Sequence, residues 1–194
     1  MIGTDAEIPY SVEVKRKLIH LSSLWIPLAI WFLPRKTVIL ILAVALVGSL
    51  ALDLFRHFSS LQLKWWREVA ALFRPKETGK LSGSSFLLLA AVLMVFFFPR
   101  EIAVLSLLYL LVGDLAAALV GRKIGKHKIG TKSLEGSLAF LLAAAVVSFL
   151  VPNLPTANKL LAASVAAAVE ILPLSLDDNL TVPIATGGFL LLIG

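Results

Sequence analysis

One aspartate lies inside an apolar stretch that runs directly into a segment of glycines and basic residues. Asp114 belongs to the apolar run 102–120, and at 1.5 Å of rise per residue it lies about 10 Å of helix before Gly121, where the run ends. An ionised carboxylate at such a depth in a membrane costs a few kcal/mol unless a cation, a metal or water meets it. We therefore predict that Asp114 is a functional residue that requires a cation, a metal or water as its partner.

The segment after Asp114 combines the residue types that bind phosphate groups. Gly121, Gly125 and Gly130 allow backbone N–H groups to close around an anion. The basic residues that would neutralise this anion are Arg122, Lys123, Lys126, His127, Lys128 and Lys132. Glu135 stands in the first turn of the next apolar segment, where the helix dipole tolerates an acid that could hold a metal or a loop cation. These residues predict a site for a polyphosphate, such as a metal-bound nucleotide.

The glycines and cations also have an interpretation that involves no chemistry. Gly113, Ala117 and Gly121 are spaced at i, i+4 and i+8, a stripe of small residues that close helix packing alone would explain. Basic residues outside a membrane helix are also what membrane topology requires. Packing has no use for a buried acid, however, so this alternative does not account for Asp114.

The composition is that of an integral membrane protein. Hydrophobic residues make up 59% of the 194 residues and charged residues 15%, with a mean hydropathy of +0.93. Soluble domains usually have about a quarter of their residues charged. The length suits a single domain, residues 1–194. The absence of cysteine excludes disulfides, thiol catalysis and thiolate metal sites.

Seven apolar segments predict an all-α fold, a polytopic bundle of about seven transmembrane helices. The segments are 18–33, 37–55, 84–98, 102–120, 134–151, 158–172 and 180–193. The last is the weakest, because it offers only about 14 residues, or about 21 Å of helix. Between the second and third spans, residues 61–74 place charged and apolar side chains on opposite stripes. This pattern predicts an amphipathic helix in the membrane interface, anchored by Trp65 and Trp66.

Lysine and arginine are unequally divided between the two predicted sides of the membrane. Fourteen of the eighteen lie before the first span or in loops on the same side, and four lie on the opposite side. Because cytoplasmic loops carry the excess of Lys and Arg, the N-terminus and the segment after Asp114 are predicted to face the cytoplasm of a cell membrane. Nucleotides are cytoplasmic, which agrees with the interpretation of this segment as a phosphate site.

The residues around Asp114 also resemble a known family. They are similar to the membrane kinases of lipid alcohols, namely the dolichol, phytol and CTP-dependent diacylglycerol kinases, and to their relatives the phosphatidate cytidylyltransferases. The pattern consists of GD at 113–114, Ala117, GR at 121–122, Gly125 and KSLEGS at 132–137. Both groups bind a cytidine nucleotide. The resemblance implies nucleotide or phosphate binding by Gly121, Arg122, Gly125, Lys126, Lys128, Lys132, Ser133, Glu135 and Gly136.

Two stretches nearer the N-terminus extend the resemblance. The pattern E..RK..H implies nucleotide binding by Arg16 and Lys17, with His20 on nearly the same helical face as Lys17. His20 could be a general base, a phosphate donor or an interfacial residue that packs. The pattern R..E....SG implies nucleotide binding by Arg74 and Glu77, and the alternative there is an ordinary solvated linker.

The C-terminal stretch 170–187 favours a kinase over a cytidylyltransferase. Its sequence EILPLSLDDNLTVPIATG resembles the kinase pattern E.lp...DDNl..P, whereas a cytidylyltransferase should end in a longer basic motif with two further aspartates. Asp177 and Asp178 suit Mg²⁺, which prefers one or two carboxylates together with phosphate oxygens and waters. The alternative interpretation is that Asp178 or Asn179 caps a helix.

The sequence therefore predicts a Mg²⁺-dependent membrane kinase that transfers the γ-phosphoryl group of CTP to a lipid alcohol. Asp114, Asp177 and Asp178 are the predicted metal ligands, and Asp114, Asp178 and His20 are the predicted catalytic residues. The acceptor is expected to enter from the bilayer, with the small-residue stripe that includes Ala117 as one wall of the opening. The expected partners are lipid and nucleotide rather than nucleic acid.

Two other functions are weighed against this one. The first is a phosphatidate-type cytidylyltransferase. The second is a cation transporter, although the acids gather on one side of the membrane rather than at the midplane where transporters bind. The sequence leaves open the lipid alcohol, the choice among CTP, ATP and UTP, the carboxylate that acts as base, and whether the protein forms a homodimer.

Overall fold

The computed structural model describes residues 19–58 and 81–194, which form a helical bundle. The α-helices of these residues are α1 (Trp25–Phe32), α2 (Arg35–Phe58), α3 (Gly83–Phe97), α4 (Arg100–Ile124), α5 (Leu134–Val147), α6 (Thr156–Ile171) and α7 (Asp178–Ile193). A small antiparallel hairpin, β1 (Lys128–Ile129) and β2 (Lys132–Ser133), joins α4 to α5. A short 3-10 helix (Ser148–Leu150) extends α5. Each of the seven predicted apolar segments corresponds to one of these helices, so the prediction of an all-α fold is confirmed.

Prolines separate several neighbouring helices. Pro34 lies between α1 and α2, Pro99 lies between α3 and α4, and Pro155 directly precedes α6. Proline disfavours the helical conformation in the residue before it but is tolerated at a helix start. The chain therefore ends one helix and begins the next within a few residues.

The starts of α3, α5 and α7 are capped by side chains. Ser82 accepts a hydrogen bond from the backbone N–H of Ser85 at the start of α3, and Ser133 caps α5 in the same way. At the start of α7 the cap is Asp177, whose side chain accepts from the N–H of Asn179. The residue that caps α7 is therefore Asp177 and not Asp178 or Asn179.

α4 is the central helix of the bundle. It packs against α1, α3, α5, α6 and α7, and most of its apolar residues are buried. α2 instead packs mainly against α3 and leaves a wide apolar face exposed, including Leu40, Val44 and Val47. A contiguous apolar surface of this kind marks a face that contacts lipid or a partner.

Two of these helices have the length and composition of a membrane span. They are residues Arg35–Phe55 of α2 and the whole of α4, with mean hydropathies of 2.7 and 2.3. α4 has 25 residues, or about 37 Å of helix, which exceeds the thickness of the hydrocarbon core. The two helices and the exposed apolar face of α2 fit a membrane protein.

The boundaries of the elements differ from the prediction near Asp114. α4 continues to Ile124, four residues beyond the end of the predicted apolar run, and residues 128–133 form the hairpin. The predicted loop of glycines and cations is therefore helix at its start and hairpin at its end. Outside the described residues lie the predicted interfacial helix 61–74 and Arg16, Lys17, Arg74 and Glu77.

Candidate active site

α4 and α5 approach each other closely beside the hairpin. A Cβ at Gly136 would lie 2.9 Å from the carbonyl oxygen of Ala117, and one at Gly121 would lie 2.9 Å from Ser133 Oγ. The packing interpretation therefore explains the small-residue stripe of α4. The expectation that this stripe forms a wall of a lipid opening is wrong, because α5 covers it. These contacts fix the hairpin against the end of α4.

The hairpin carries Lys132 into the bundle. Lys128 pairs with Ser133 and Ile129 with Lys132, and Gly130 between the strands has a φ of 60°. Glycine adopts this left-handed conformation without the steric cost that other residues would meet. The turn reverses the chain, so Lys132 reaches α6 and α7 whereas Lys128 remains exposed.

Lys132 forms the centre of a cluster of acids. Its Nζ lies 2.9 Å from Oδ2 of Asp178 and 3.4 Å from Oε1 of Glu170, and it also donates to the backbone carbonyl of Glu170. Glu170 is buried, and its Oε2 accepts a hydrogen bond of 3.0 Å from Ser137 Oγ. A buried carboxylate is stable when it is paired and hydrogen-bonded in this way. Strand β2 and helices α5, α6 and α7 thus meet at the two ion pairs of Lys132 and the hydrogen bond of Ser137.

Asp114 completes the cluster. Its carboxylate is close enough to Asp178 to interact with it electrostatically, and its Oδ2 lies 3.8 Å from Nε2 of His20. The three residues predicted to be catalytic, Asp114, Asp178 and His20, therefore come together although they lie far apart in the sequence. We call Asp114, Lys132, Glu170 and Asp178 the acid–lysine cluster.

The described residues only partly match the predicted magnesium site. Asp177 interacts electrostatically with Asp178, but its Oδ1 accepts the capping hydrogen bond of α7. In residues 19–58 and 81–194, no group of three or more His, Asp or Glu side chains is arranged to hold a metal. Asp114 and Asp178 remain as two carboxylates that interact electrostatically. Mg²⁺ takes one or two carboxylates when phosphate oxygens and waters supply the other ligands. The donor set thus fits a metal that arrives with a nucleotide.

Glu135 binds the loop rather than the cluster. Its Oε1 lies 2.7 Å from Nδ1 of His127, and both carboxylate oxygens accept from the backbone N–H of His127, at 3.2 and 3.3 Å. Glu135 thus contacts a basic residue of the loop, and its role as a ligand of a metal or a nucleotide stays a prediction. The remaining basic residues of this region are exposed on the same side of the bundle: Arg122, Lys123, Lys126 and Lys128.

A second buried acid organises the neighbouring helix ends. Oδ2 of Asp53 accepts hydrogen bonds from the backbone N–H and the hydroxyl of Ser82, at 2.8 and 3.0 Å, and from Ser85 Oγ at 2.7 Å. Nδ2 of Asn179 donates to the carbonyl of Gly83 at 3.1 Å. These bonds attach the end of α2 to the start of α3, and α3 to the start of α7. Asp53 therefore supports the element that carries Asp178.

Glu170, Ser137 and Asp53 were not predicted as site residues. A signal was present for Glu170, because it is a carboxylate at the end of an alanine-rich apolar segment, as Asp114 is within its own segment. Asp53 also ends an apolar run. Ser137 gives no such signal, since a serine in a membrane helix is common and its partner is 33 residues away.

Comparison with known proteins relates this chain to lipid kinases. The chain is 29% identical to CTP-dependent diacylglycerol kinase 1 of Saccharomyces cerevisiae, over 92% of this chain and 72% of that protein. It is 32% identical to CTP-dependent diacylglycerol kinase 1 of Schizosaccharomyces pombe, over 66% and 67% of the two chains. It is also 28% identical to the phytol kinase of Synechocystis, over 90% and 76%.

No family model matches the chain, and no solved structure matches it. The kinases nevertheless cover most of its length. They confirm the interpretation of the sequence as a kinase. The chain belongs to the polyprenol and lipid kinase family, whose members are phosphotransferases with an alcohol group as acceptor.

Proposed function

We propose that this protein transfers the γ-phosphoryl group of CTP to the hydroxyl of a membrane lipid alcohol at the acid–lysine cluster. The observation that carries the proposal is the charge of the cluster. Two carboxylates, those of Glu170 and Asp178, share the ammonium of Lys132, and the Asp114 carboxylate is close enough to Asp178 to interact with it electrostatically. Surplus negative charge in a partly buried site is costly. A divalent cation that arrives with a nucleotide would offset it.

The basic residues bind the donor. Phosphoryl transfer depends mainly on positioning the donor and stabilising its charge. Lys132 lies inside the bundle and contacts the γ-phosphate, in place of part of its present pairing with Asp178. The exposed cations Arg122, Lys126 and Lys128 bind the outer phosphates, where solvent-exposed side chains can adjust to the ligand.

The carboxylates act on the acceptor. The alcohol oxygen attacks the γ-phosphorus, the bond from that phosphorus to the bridging oxygen breaks, and CDP leaves with the electron pair of that bond. The hydroxyl proton passes to a carboxylate within hydrogen-bonding reach. Asp114 is our choice for this base, because it lies farthest inside an apolar segment, so an acceptor from the bilayer would meet it first. His20, 3.8 Å away, positions the Asp114 carboxylate.

Asp114 and Asp178 would hold Mg²⁺ together with the phosphate oxygens, and the ion would neutralise charge that develops on the transferring group.

The names of the relatives support CTP as donor and a long-chain lipid as acceptor. Diacylglycerol and phytol, which these names specify, share a hydroxyl group at one end of an apolar molecule. Such an acceptor stays in the bilayer, because each buried methylene is worth about 0.8 kcal/mol. It would therefore approach the cluster from the lipid.

We also propose that all seven helices belong to a polytopic bundle in the cell membrane, with the N-terminus and the cluster on the cytoplasmic side. The unequal distribution of Lys and Arg supports this orientation. Five helices are shorter than α2 and α4, and local thinning of the bilayer accommodates short spans.

The proposal is tested with purified protein and CTP labelled at either the α- or the γ-phosphate. Dioleoylglycerol, phytol and dolichol serve as separate acceptors, and ATP and UTP as competing donors. We expect label from the γ-position in the lipid product, none from the α-position, and CDP as the second product. Incorporation of the α-label with release of pyrophosphate would instead indicate a cytidylyltransferase, and no transfer to any of the three lipids would contradict the proposal.

A further inference from the structure

Four helices enclose a cavity at the end of the bundle opposite the acid–lysine cluster. It has a volume of about 200 Å³ and is lined by residues of α1, α2, α3 and α4 together with Phe98. Its walls include the buried apolar side chains of Ile30, Val38, Val95 and Ala103. α4 runs about 21 Å from the cavity to Asp114, so the cavity does not belong to the kinase site.

Two arginines form the mouth of this cavity. Arg35 and Arg100 line it and are exposed, and no carboxylate lines it. Arg35 Nη2 donates to the backbone carbonyl of Phe96, which holds its guanidinium at the rim. A guanidinium has five N–H donors, so most of those of Arg35 remain for another group. Across residues 19–58 and 81–194, no carboxylate forms an ion pair with either arginine.

The combination selects one class of ligand. The planar donors of arginine match phosphate oxygens in pairs. Apolar cavities of about 150 Å³ stay dry and take up apolar groups, so the walls favour hydrocarbon over water. A soluble phosphate would use only the arginines, and an uncharged lipid only the walls. An anionic lipid uses both.

We propose that this cavity binds an anionic phospholipid of the surrounding bilayer. Its phosphate lies between Arg35 and Arg100, and its glycerol and upper chain carbons lie against the apolar walls. The site is on the membrane face opposite the kinase site and does not depend on the reaction catalysed there. A lipid at this position would join α1, α2, α3 and α4 where they meet.

Native mass spectrometry of the full chain in detergent tests the proposal, with phosphatidylglycerol and phosphatidylcholine added separately. We expect one phosphatidylglycerol to bind and to survive removal of the detergent, and phosphatidylcholine to bind at least about tenfold more weakly. Arg35→Gln and Arg100→Gln should each weaken phosphatidylglycerol binding about tenfold. Lys36→Gln is the matched control, because Lys36 is an exposed cation beside Arg35 that does not line the cavity.

The apolar walls are tested with Ala103→Leu, which keeps both arginines and fills part of the cavity. It should also weaken phosphatidylglycerol binding, whereas a site made only of surface charge would not respond. This variant and Arg100→Gln keep the test valid if Arg35→Gln fails to fold, since Arg35 also holds the Phe96 carbonyl. Equal binding of the two lipids, an equal effect of Lys36→Gln, no effect of Ala103→Leu, or displacement of the lipid by inorganic phosphate would each overturn the proposal.

Discussion

Replacement of Lys132 by methionine separates the structural role of this side chain from its proposed role in binding phosphate. Methionine preserves most of the length of the side chain and removes the charge, which leaves the buried carboxylate of Glu170 without its cation. Breaking a buried ion pair costs about 3–5 kcal/mol. Lys132 and Asp178 are 23% and 30% exposed, so solvent screens part of the interaction between their charges. We therefore expect a loss of about 2 kcal/mol in the free energy of unfolding.

The effect on activity should be larger than this loss of stability explains. A charged hydrogen bond to phosphate contributes about 2–3 kcal/mol, so kcat/KM for CTP should fall about 30- to 150-fold. Adding Glu170→Gln to Lys132→Met removes the unpaired carboxylate, while the amide oxygen still accepts from Ser137. We expect the double variant to regain about 1 kcal/mol of stability and none of the lost activity.

The assay combines thermal unfolding in detergent with steady-state kinetics at 25 °C. Lys36→Met is the control, because Lys36 is an exposed lysine at the start of α2 and is not part of the acid–lysine cluster. The stability and the activity of this variant should both match those of the wild type. If Lys132→Met keeps kcat/KM within about threefold of the wild type, the proposed phosphate contact is refuted. Recovery of activity together with stability in the double variant would show that Lys132 acts only through folding.

Three further predictions concern the metal, the packing and the topology. Asp114→Asn should lower kcat by at least about 100-fold with an unchanged melting temperature, and near-normal turnover would remove Asp114 from the mechanism. Gly136→Ala places a Cβ 2.9 Å from the Ala117 carbonyl and should cost about 1–3 kcal/mol of stability. Gly188→Ala, which meets nothing within 4 Å, should be neutral, and equal melting of the two variants would contradict the α4–α5 contact. A cysteine replacing Lys126 in this cysteine-free chain should react with an impermeant thiol reagent only after the cells are opened, because Lys126 is predicted to face the cytoplasm. Labelling of this cysteine in intact cells would contradict the predicted topology.

The number and type of helices could be predicted because hydrophobic length is a local property of the sequence. The end of α4 could not be predicted, since the residues from Gly121 to Ile124 are not an apolar run. Their helical conformation is supported by the contact of Gly121 with Ser133 and Gly136, which only the fold brings together. The hairpin was missed for a related reason, because its two-residue strands are too short to show a pattern.

Asp114 and Asp178 could be recognised in the sequence because a carboxylate in or beside an apolar segment is costly and therefore informative. The residues that contact these two carboxylates could not be recognised in the sequence. Lys132 is 46 residues from Asp178 and 38 from Glu170, and the sequence alone does not show which of several nearby cations would turn inward. The capping role of Asp177 was likewise hidden, because three adjacent polar residues could each begin α7.

The rate of γ-phosphoryl transfer from CTP to a lipid alcohol by Asp178→Asn is the most direct test of the claim that the acid–lysine cluster is the reaction centre. Asparagine retains an oxygen that can accept from Lys132, and Asp177 still caps α7, so the fold should persist. With both substrates saturating and an unchanged melting temperature, we expect the rate to fall at least about 100-fold. A folded variant with a rate within about threefold of the wild type would contradict the account.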